Sequence, residues 1–266
     1  MAAVTSPTIR IGTWNVQEGR IDGRDVMHAE DVTALHAAVE EVRGAHVLAL
    51  QEVPFNADGR SPFLDMISAG SSLEHVYTET LSPSMFDADR ESGLAILSTI
   101  PMRPIHFATL PNPELTHDWG AEYKRTFDKG MIAVTLDWYG ADVTVGSVHS
   151  FPFHRFGRTA NDPEFEHIWE VLAGQIEELP HQQLAVCGDF NTEIRELVLS
   201  RLRRPLDRTF PGMVTSRKLQ IDDILHSPTL TLDSMPRTVP TFSDHKLCVA
   251  DFKFAERGDG NAAGRT

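Results

Sequence analysis

The sequence predicts an α/β protein in which polar residues gather at the ends of apolar strands. Three observations lead to this prediction. Strand and helix patterns alternate near both ends of the chain, a run of strand patterns fills its middle, and several apolar strands end in carboxylates, amides or imidazoles. In layered α/β proteins, functional sites form where strand ends meet, because the loops there are exposed and rigidly anchored.

The first elements read strand, helix, strand. Residues 8–16 alternate apolar and polar side chains, as does a strand with one buried face. Apolar positions then recur at helical spacing over about residues 30–44, with a glycine as the expected stop. The apolar run 46–50 predicts a buried strand that delivers Glu52 before Pro54 breaks the pattern.

The middle of the chain is rich in strand patterns, and we expect an antiparallel meander there. Two polar, proline-containing segments interrupt it, residues 82–91 and 111–129, and loops of this length usually cover a functional site. The five strand patterns are residues 73–80, 93–99, 102–110, 131–139 and 142–150.

The last part of the chain alternates again. A helix is expected to begin near Asp162, with Pro163 in its first turn. It is followed by a strand, a short helix and two further strands at residues 183–187, 192–199, 221–225 and 246–252. No repeat or linker-like segment marks a boundary, so we predict a single domain over 8–254, with flexible tails at 1–7 and 255–266.

Composition and charge exclude several classes of protein. Of 266 residues, 41% are hydrophobic and 23% are charged, which is typical of a folded globular chain rather than a disordered one. No run approaches the roughly 20 apolar residues that a membrane-spanning helix needs. There are 38 acidic residues against 24 Lys and Arg, and this net charge of −14 argues against a broad basic face for nucleic acid.

The two cysteines and the opening residues bear on location. Cys187 and Cys248 lie in apolar, strand-like segments, where a buried free thiol is more common than a disulfide. The opening MAAVTSPTIR lacks the apolar core of a secretory signal. We therefore expect a reducing compartment, and specifically the cytoplasm.

The polar strand ends predict a site for a hard cation. Carboxylate and amide oxygens with no Cys–His spacing motif suit Mg²⁺ or Mn²⁺ better than zinc. Phosphoester hydrolysis uses such a cation together with a carboxylate that orients water and a histidine that assists proton transfer. The polar residues at strand ends are Asn15, Glu52, His149, Asp189, Asn191, Asp222, Asp223, Asp244 and His245.

Six segments in order resemble the motif set of the endonuclease/exonuclease/phosphatase superfamily. They are TWNVQ, QEV, SVHSFP, GDFNTE, IDDILHS and SDHKLCVADF, and they extend from residue 9 to about 253. The resemblance implies a four-layer α/β/β/α sandwich, with two mixed sheets packed face to face and helices outside. It also implies one or two divalent cations at one end of the sandwich.

By this resemblance, Glu52 is the main metal ligand, with Asn15 beside it and Asp244 available to the metal or to water. Asp189 is expected to orient or deprotonate the attacking water, and Asn191 to hydrogen-bond the substrate phosphate. The alternative is structural: Asn15 and Glu52 cap loops, and Asn191 forms an Asx turn or caps the helix predicted over 192–199.

The resemblance also implies a His–carboxylate pair of His245 with Asp222. Asp223 stands where many relatives carry an aromatic residue, which leaves two candidate carboxylates, and motif position favours Asp222. His149 resembles the histidine that protonates the leaving group in secreted deoxyribonucleases. Glu91 is the best-placed candidate for orienting it by motif position, although a solvated loop glutamate explains that residue nearly as well.

Two cations are candidates for contacting the substrate phosphate. They are Lys129 and Arg125, and the alternative for either is a solvated position in a loop. The densest basic stretch lies after GDFN and either edges the site or pairs with surface carboxylates, which we prefer at a net charge of −14. That stretch comprises Arg195, Arg201, Arg203, Arg204 and Arg208.

The sequence therefore predicts a divalent-metal-dependent phosphodiesterase or phosphatase that acts on a small or lipid phosphoester. A DNA or RNA nuclease with the same site is the first alternative, and a non-catalytic protein that binds a phosphorylated ligand is the second. The interrupting segments, with Phe86, Trp119 and Tyr123, are expected to form rims that select the leaving group.

Overall fold

A computed structural model describes residues 8–21, 24–27, 32–118 and 123–254. The predicted tails lie outside these residues. Both cysteines are buried and free. Among the described helices, none has the length and apolar character required to cross a bilayer.

Seven strands form the first large sheet, in the order β15-β17-β1-β4-β6-β5, with β16 also paired to β17. The pair β1 and β4 is parallel and the other pairs are antiparallel, so the sheet is mixed. With strands numbered in chain order, its members are β1 (Ile9–Asn15), β4 (Val47–Asn56), β5 (His75–Pro83), β6 (Arg90–Ser98), β15 (Leu230–Leu232), β16 (Arg237–Val239) and β17 (Leu247–Phe254).

Six strands form the second sheet, in the order β13-β14-β12-β11-β10-β7. It is also mixed, because β11 and β12 are parallel while the other pairs are antiparallel. Its members are β7 (Met102–Thr109), β10 (Gly130–Trp138), β11 (Ala141–His149), β12 (Leu184–Asp189), β13 (Asp207–Arg208) and β14 (Asp222–His226). Two short ribbons complete the strands, β2 (Arg20–Ile21) with β3 (Arg24–Asp25) and β8 (Thr116–Asp118) with β9 (Tyr123–Arg125).

Three apolar clusters separate four layers, which confirms the predicted sandwich. Helices α1 (Val32–Val42) and α2 (Pro62–Gly70) lie outside the first sheet, and α3 (Glu166–Glu178) and α4 (Glu196–Leu199) lie outside the second. The central cluster fills the space between the sheets. It includes Ile9, Ile11, Val47, Ala49, Ile132, Val134, Val145, Ala185, Cys187 and Ile224.

The predicted meander is wrong in one respect, because its strands divide between the sheets. β6 pairs with β5 and with β4 in the first sheet, whereas β7, β10 and β11 form an antiparallel set in the second sheet. The short connection from Ser98 to Met102 crosses between the sheets. An alternating pattern identifies a strand but does not specify its partner.

Three element boundaries also differ from the expected ones. β4 continues through Pro54 to Asn56, the loop 111–129 contains the β8–β9 ribbon, and the helix expected over 192–199 is reduced to α4. Helix α2 was not predicted. Its start carries ordinary signals, since the Ser61 hydroxyl accepts a hydrogen bond from Leu64 N at 3.3 Å and Pro62 occupies the first position.

Candidate active site

Strand alternation carries polar side chains to one end of the space between the sheets. Residues two apart on a strand share a face, so Asn15 follows Ile11 and Thr13 on the inner face of β1. By the same rule His149 follows Val145, and Asp189 follows Cys187, both from the second sheet. Asp189 is also in register with His149 and with Asp222. The site is therefore the polar end of the central core.

A buried polar layer separates this end from the apolar core. Gln51 Nε2 donates to Ser147 Oγ at 3.0 Å and to Thr13 Oγ1 at 3.2 Å, and Ser147 Oγ donates to the Leu50 carbonyl at 3.2 Å. These bonds connect β1 and β4 to β11 across the two sheets. They fix the relative position of the polar residues that each strand delivers, because buried polar groups without partners are costly.

A β-bulge presents Glu52 to the site. The register of β4 against β6 shifts between Gln51 and Val53, and the extra residue, Glu52, has a left-handed φ of 53°. Bulges of this kind re-aim a side chain, and a strained backbone at a non-glycine residue is common at functional sites. The carboxylate Oε1 of Glu52 lies 3.5 Å from His149 Nε2.

Asp189 lies at the centre of the cluster. Its carboxylate accepts hydrogen bonds from Asn15 Nδ2 at 3.0 Å and from the Asn191 backbone N–H at 2.8 Å. The ring Nε2 atoms of His149 and His245 lie 3.6 and 3.8 Å from its Oδ2. Burial raises the pKa of Asp189 to about 7, against the opposing effect of the His245 charge.

The loop after Asp189 is shaped by unusual backbone angles. Gly188 has a φ of 148°, and a Cβ there would collide with the Val148 carbonyl of the neighbouring strand. Asn191 has a φ of 52°, and its Nδ2 donates to the Ser150 carbonyl at 2.9 Å and to Asp189 at 3.2 Å. Asn191 does not cap a helix, since α4 begins only at Glu196.

His245 pairs with Asp222. Its Nδ1 lies 3.0 Å from both carboxylate oxygens of Asp222, and both residues are buried. Burial disfavours the charged imidazole, but the carboxylates of Asp222, Asp189 and Asp244 outweigh it and raise the pKa of His245 to about 10. His245 is thus a cation at neutral pH, held with Nε2 toward Asp189.

Asp223 faces away from the site, which resolves the choice between the two carboxylates. Its side chain lies on the outer face of β14, where Arg208 Nε is 3.0 Å away and Arg195 Nε is 3.4 Å away. Three backbone N–H groups, of Thr209, Phe210 and Ile224, also donate to it. The buried charge of Asp223 is therefore met by two guanidinium groups from this chain.

His149 has a partner that differs from the expected one. Lys129 Nζ lies 3.1 Å from His149 Nδ1, while Glu91 is exposed on β6, opposite Phe55 and Pro83, and does not contact the ring. Burial and the charge of Lys129 hold the pKa of His149 well below its usual range. The neutral ring accepts from the ammonium at Nδ1, so its proton lies on Nε2, toward Glu52 and Asp189.

Arg125, the second residue expected to contact the substrate phosphate, lies outside the site. The Arg125 side chain is exposed, and its guanidinium stacks on the Phe127 ring at 5.4 Å. Phe86 is 42% exposed on the first interrupting loop, with the Arg20 guanidinium 5.0 Å from its ring centroid. Trp119 and the Tyr123 side chain fall outside the described part of the chain.

Sequence reasoning missed three charged residues around the site. Glu18 is buried and accepts hydrogen bonds from the Ser84 hydroxyl and from Met85 N. Burial raises the pKa of Glu18, on which the charges of Glu52 and Lys129 also act. Arg155 and Arg217 reach Asp244 from two loops. Isolated charges in loops carry no spacing signal, so the sequence alone could not select them.

The basic stretch after GDFN does not edge the site. Arg201 pairs with Glu166, and Arg203 and Arg204 both pair with Glu177, on the outer helix α3. The remaining two arginines of the stretch, Arg195 and Arg208, pair with Asp223. The stretch is therefore matched by carboxylates, as the preferred interpretation of the sequence predicts, although one of these carboxylates, Asp223, is buried rather than on the surface.

The oxygen donors at this end are suited to a hard divalent cation. Among the described residues, the Glu52 carboxylate makes one polar contact, with His149, and so retains free acceptor positions beside the Asn15 amide and Asp189. Asp189, Asp222 and His245 form a compact buried group whose ligand atoms lie within 4.8 Å of one another. A cluster of carboxylates with incomplete hydrogen bonding is the donor chemistry that Mg²⁺ and Mn²⁺ prefer.

Comparison with known protein families identifies the family of this chain. The family model described as "Endonuclease/Exonuclease/phosphatase family" matches residues 12–245, an interval that contains the whole site from Asn15 to His245. The chain belongs to this family. Members of the endonuclease/exonuclease/phosphatase family are phosphoester hydrolases that use divalent metal ions, in agreement with the acidic cluster described above. No curated protein matches the chain.

Solved structures of the family share the fold. An endonuclease/exonuclease/phosphatase from Beutenbergia cavernae is 16% identical with a TM-score of 0.66, over 93% of this chain and 72% of its own. The human nocturnin catalytic domain, solved with a bound sulfate anion, is 19% identical with a TM-score of 0.63, over 94% of both chains. Sphingomyelinase C from Streptomyces griseocarneus is 17% identical with a TM-score of 0.54, over 92% of this chain and 99% of its own. Identities this low establish the fold and leave the substrate open.

Proposed function

We propose that this protein is a divalent-metal-dependent hydrolase of small or lipid-derived phosphoesters. The observation that carries the proposal is the position of Asp189 between two amides and two imidazoles, at the polar end of the core. Glu52, Asn15 and Asp244 are the residues that would hold Mg²⁺ or Mn²⁺. A bound cation of this kind neutralises developing charge on a phosphoryl oxygen.

Asp189 is proposed as the group that orients the attacking water and accepts its proton. A general base works best when its pKa lies near the operating pH, and burial raises the pKa of Asp189 to about 7. The Asn15 and Asn191 donors hold the carboxylate in one orientation. Asn191 would also hydrogen-bond the phosphate, once a substrate competes for its amide group.

His245 is proposed to hydrogen-bond a phosphate oxygen. Asp222 occupies Nδ1, so the charged ring presents its Nε2–H toward the site. A charged donor of this kind stabilises the added negative charge of the transition state more than that of the ground state.

His149 and Lys129 are proposed to act together at the leaving group. The ammonium of Lys129 faces Nδ1, so the Nε2–H of a neutral His149 can donate to the leaving oxygen with a positive charge behind it. This role replaces the acid role that the resemblance implied, because Lys129 faces Nδ1 of His149, whereas its two carboxylate contacts, Glu52 and Asp189, face Nε2.

The charge distribution favours a small or lipid phosphoester over nucleic acid. The arginine stretch that could have formed a groove is paired with carboxylates, and the net charge is −14. Binding to a polynucleotide depends on neutralising several phosphates at once, which needs a continuous basic surface.

We further propose a cytoplasmic location, which the two free cysteines support.

The proposal is tested with purified protein and two chromogenic esters, bis(4-nitrophenyl) phosphate and 4-nitrophenyl phosphate. Release of 4-nitrophenolate should require Mg²⁺ or Mn²⁺ and stop with EDTA. Asp189→Asn should lower kcat/KM by about 10²- to 10⁴-fold, the range for loss of a general base. The exposed Asp142→Asn is the matched control and should change little. Full activity of Asp189→Asn would contradict the mechanism, and plasmid nicking at low salt would favour a nuclease.

A further inference from the structure

We propose that Arg155 and Arg217 form an anion-binding subsite at the edge of the active site, and that the substrate carries a second anionic group beside the scissile phosphoester. The proposal rests on the proposed function and narrows its substrate class. The shared chemistry is a second phosphate or carboxylate group on a small molecule.

Two loops bring these arginines to one atom. Arg217 Nη2 lies 3.2 Å and Arg155 Nη2 3.9 Å from the same carboxylate oxygen, Oδ2 of Asp244. Arg155 belongs to the short helical turn Phe153–Phe156, which follows His149 at the end of β11. Arg217 comes from a turn that is bridged to His245, and its backbone N–H donates to the Asp244 carbonyl at 3.3 Å. Both loops are therefore anchored to the catalytic end of the sandwich.

The pair leaves positive charge available to a ligand. Two guanidinium groups share one carboxylate, so one positive charge is in excess. The Arg155 and Arg217 side chains are 44% and 72% exposed, whereas that of Asp244 is 15% exposed. An anion can therefore reach the arginines from solvent without displacing protein atoms. Arginine suits this task because its planar donor fork matches phosphate and carboxylate.

The charges of the two arginines also act on titratable groups at this end of the molecule. The charge of Arg155 contributes to lowering the pKa of His149 and of Lys129, after burial as the main cause. The pKa of His154 is lowered by burial first and then by Arg155, His245 and Arg217. A second anionic group on a substrate held near His245 would experience the same two charges.

A small substrate explains the pair better than a polynucleotide does. The arginines of the 201–204 segment do not extend this pair, because they are held by carboxylates on the outer helix α3. A strand of nucleic acid presents a phosphate at every nucleotide and would require basic residues along a track. One extra anionic group needs one pair of arginines.

The experiment compares two chromogenic esters that differ in one phosphate. They are the 5′-(4-nitrophenyl) ester of thymidine 5′-phosphate, with and without a 3′-phosphate. Wild-type protein should hydrolyse the bisphosphate with the higher kcat/KM, through a lower KM. Arg217→Gln should reduce the ratio of the two kcat/KM values by about tenfold, since charged hydrogen bonds contribute at least one such factor. Arg155→Gln should also reduce this ratio of kcat/KM values.

A matched control exists in the same chain. Arg203 and Arg204 also share one carboxylate, Glu177, at 3.5 and 3.7 Å, but on the outer layer. Arg203→Gln should leave the ratio unchanged. Added salt should lower the preference of the wild type, because ionic interactions at exposed groups are screened.

Equilibrium binding provides a readout that does not need turnover. Adenosine 3′,5′-bisphosphate should bind the wild type more tightly than adenosine 5′-monophosphate in calorimetry, and the Arg155→Gln/Arg217→Gln variant should lose that difference. Absence of nitrophenolate release would count against the proposed function, while the calorimetry would still decide the subsite. Equal affinity of the wild type for the two nucleotides would overturn the subsite, as would tighter binding of a thymidine dodecamer with a steep salt dependence.

Discussion

Asp222 and Asp223 are neighbours in β14, yet they lie in opposite environments. Asp222 is on the inner face, where its carboxylate meets the ring of His245. Asp223 is on the outer face, where Arg195 and Arg208 flank it and three backbone N–H groups donate to it. Both carboxylates are buried, so exposure does not distinguish them.

The comparison separates two uses of buried charge. Asp223 has enough donors to satisfy its charge. Its contacts connect the segment before β14 to the outer helical layer. In the inner cluster, burial raises the pKa of Asp189 to about 7, and the carboxylates of Asp222, Asp189 and Asp244 outweigh burial and raise the pKa of His245 to about 10. Strongly shifted pKa values are typical of reactive groups, whereas buried charges with a full set of hydrogen-bond donors are typical of structural groups.

The largest effect on stability is expected from removing the carboxylate of Asp223, which pairs with Arg195 on the outer face of β14. Asp223→Leu leaves the guanidinium of Arg195, itself 1% exposed, without its carboxylate. Removing one partner of a buried ion pair costs about 3–5 kcal/mol of unfolding free energy. The double variant Asp223→Leu/Arg195→Met removes the orphaned charge and should recover more than half of that loss in urea unfolding. A loss of less than about 1 kcal/mol in the single variant would show that Asp223 is not structural.

The pair of His245 with Asp222, on the inner face of β14, should make the stability of the protein depend on pH. The pKa of His245 is raised in the folded state from an ordinary value of 6.5 to about 10. Its stabilising contribution is therefore complete below pH 6.5 and lost as the pH rises toward 10, by up to about 1.4 kcal/mol per pH unit for one proton. His245→Gln should remove this slope from urea unfolding measured in EDTA. An identical slope in the variant would assign it to another group.

A smaller effect is expected from the polar layer between core and site. Ser147→Ala removes one acceptor of Gln51 Nε2 and leaves Thr13 as the other. The loss of one neutral buried hydrogen bond should lower the unfolding free energy by about 1 kcal/mol. Urea unfolding of Ser147→Ala measures it, with Ser200→Ala, at the exposed residue after α4, as a control. Equal stability of Ser147→Ala and wild type would show that the layer does not hold the strands in register.

Much of the fold was predictable from the sequence, and the reasons are local. Strands and helices follow from the spacing of apolar residues, and the order of six motifs indicated the four-layer sandwich. The division of the meander between sheets was not predictable, because β5 and β7 carry similar alternating patterns. The continuation of β4 past Pro54 depends on a bulge, which has no clear sequence signal.

The candidate site was predictable where residues lie in motifs. The pairing of His245 with Asp222 is present, and Asn15, Glu52, His149 and Asp189 meet at one end of the core. The contact of Lys129 with His149 in place of Glu91 was not predictable, since it depends on the register of β10 against β11, in which Gly130 lies opposite His149. The same holds for the convergence of Arg155 and Arg217, which lie far from Asp244 in sequence.

The central claim is that the inner face of β14 is catalytic and its outer face is structural. The most direct test measures kcat/KM and the unfolding free energy of Asp222→Asn and Asp223→Asn side by side. Asp222→Asn should lose about 10²-fold or more in kcat/KM, because His245 loses the carboxylate that keeps it charged. Asp223→Asn should lose about 3 kcal/mol of stability and retain most of its activity while folded. Active Asp222→Asn, or inactive but fully stable Asp223→Asn, would contradict the account.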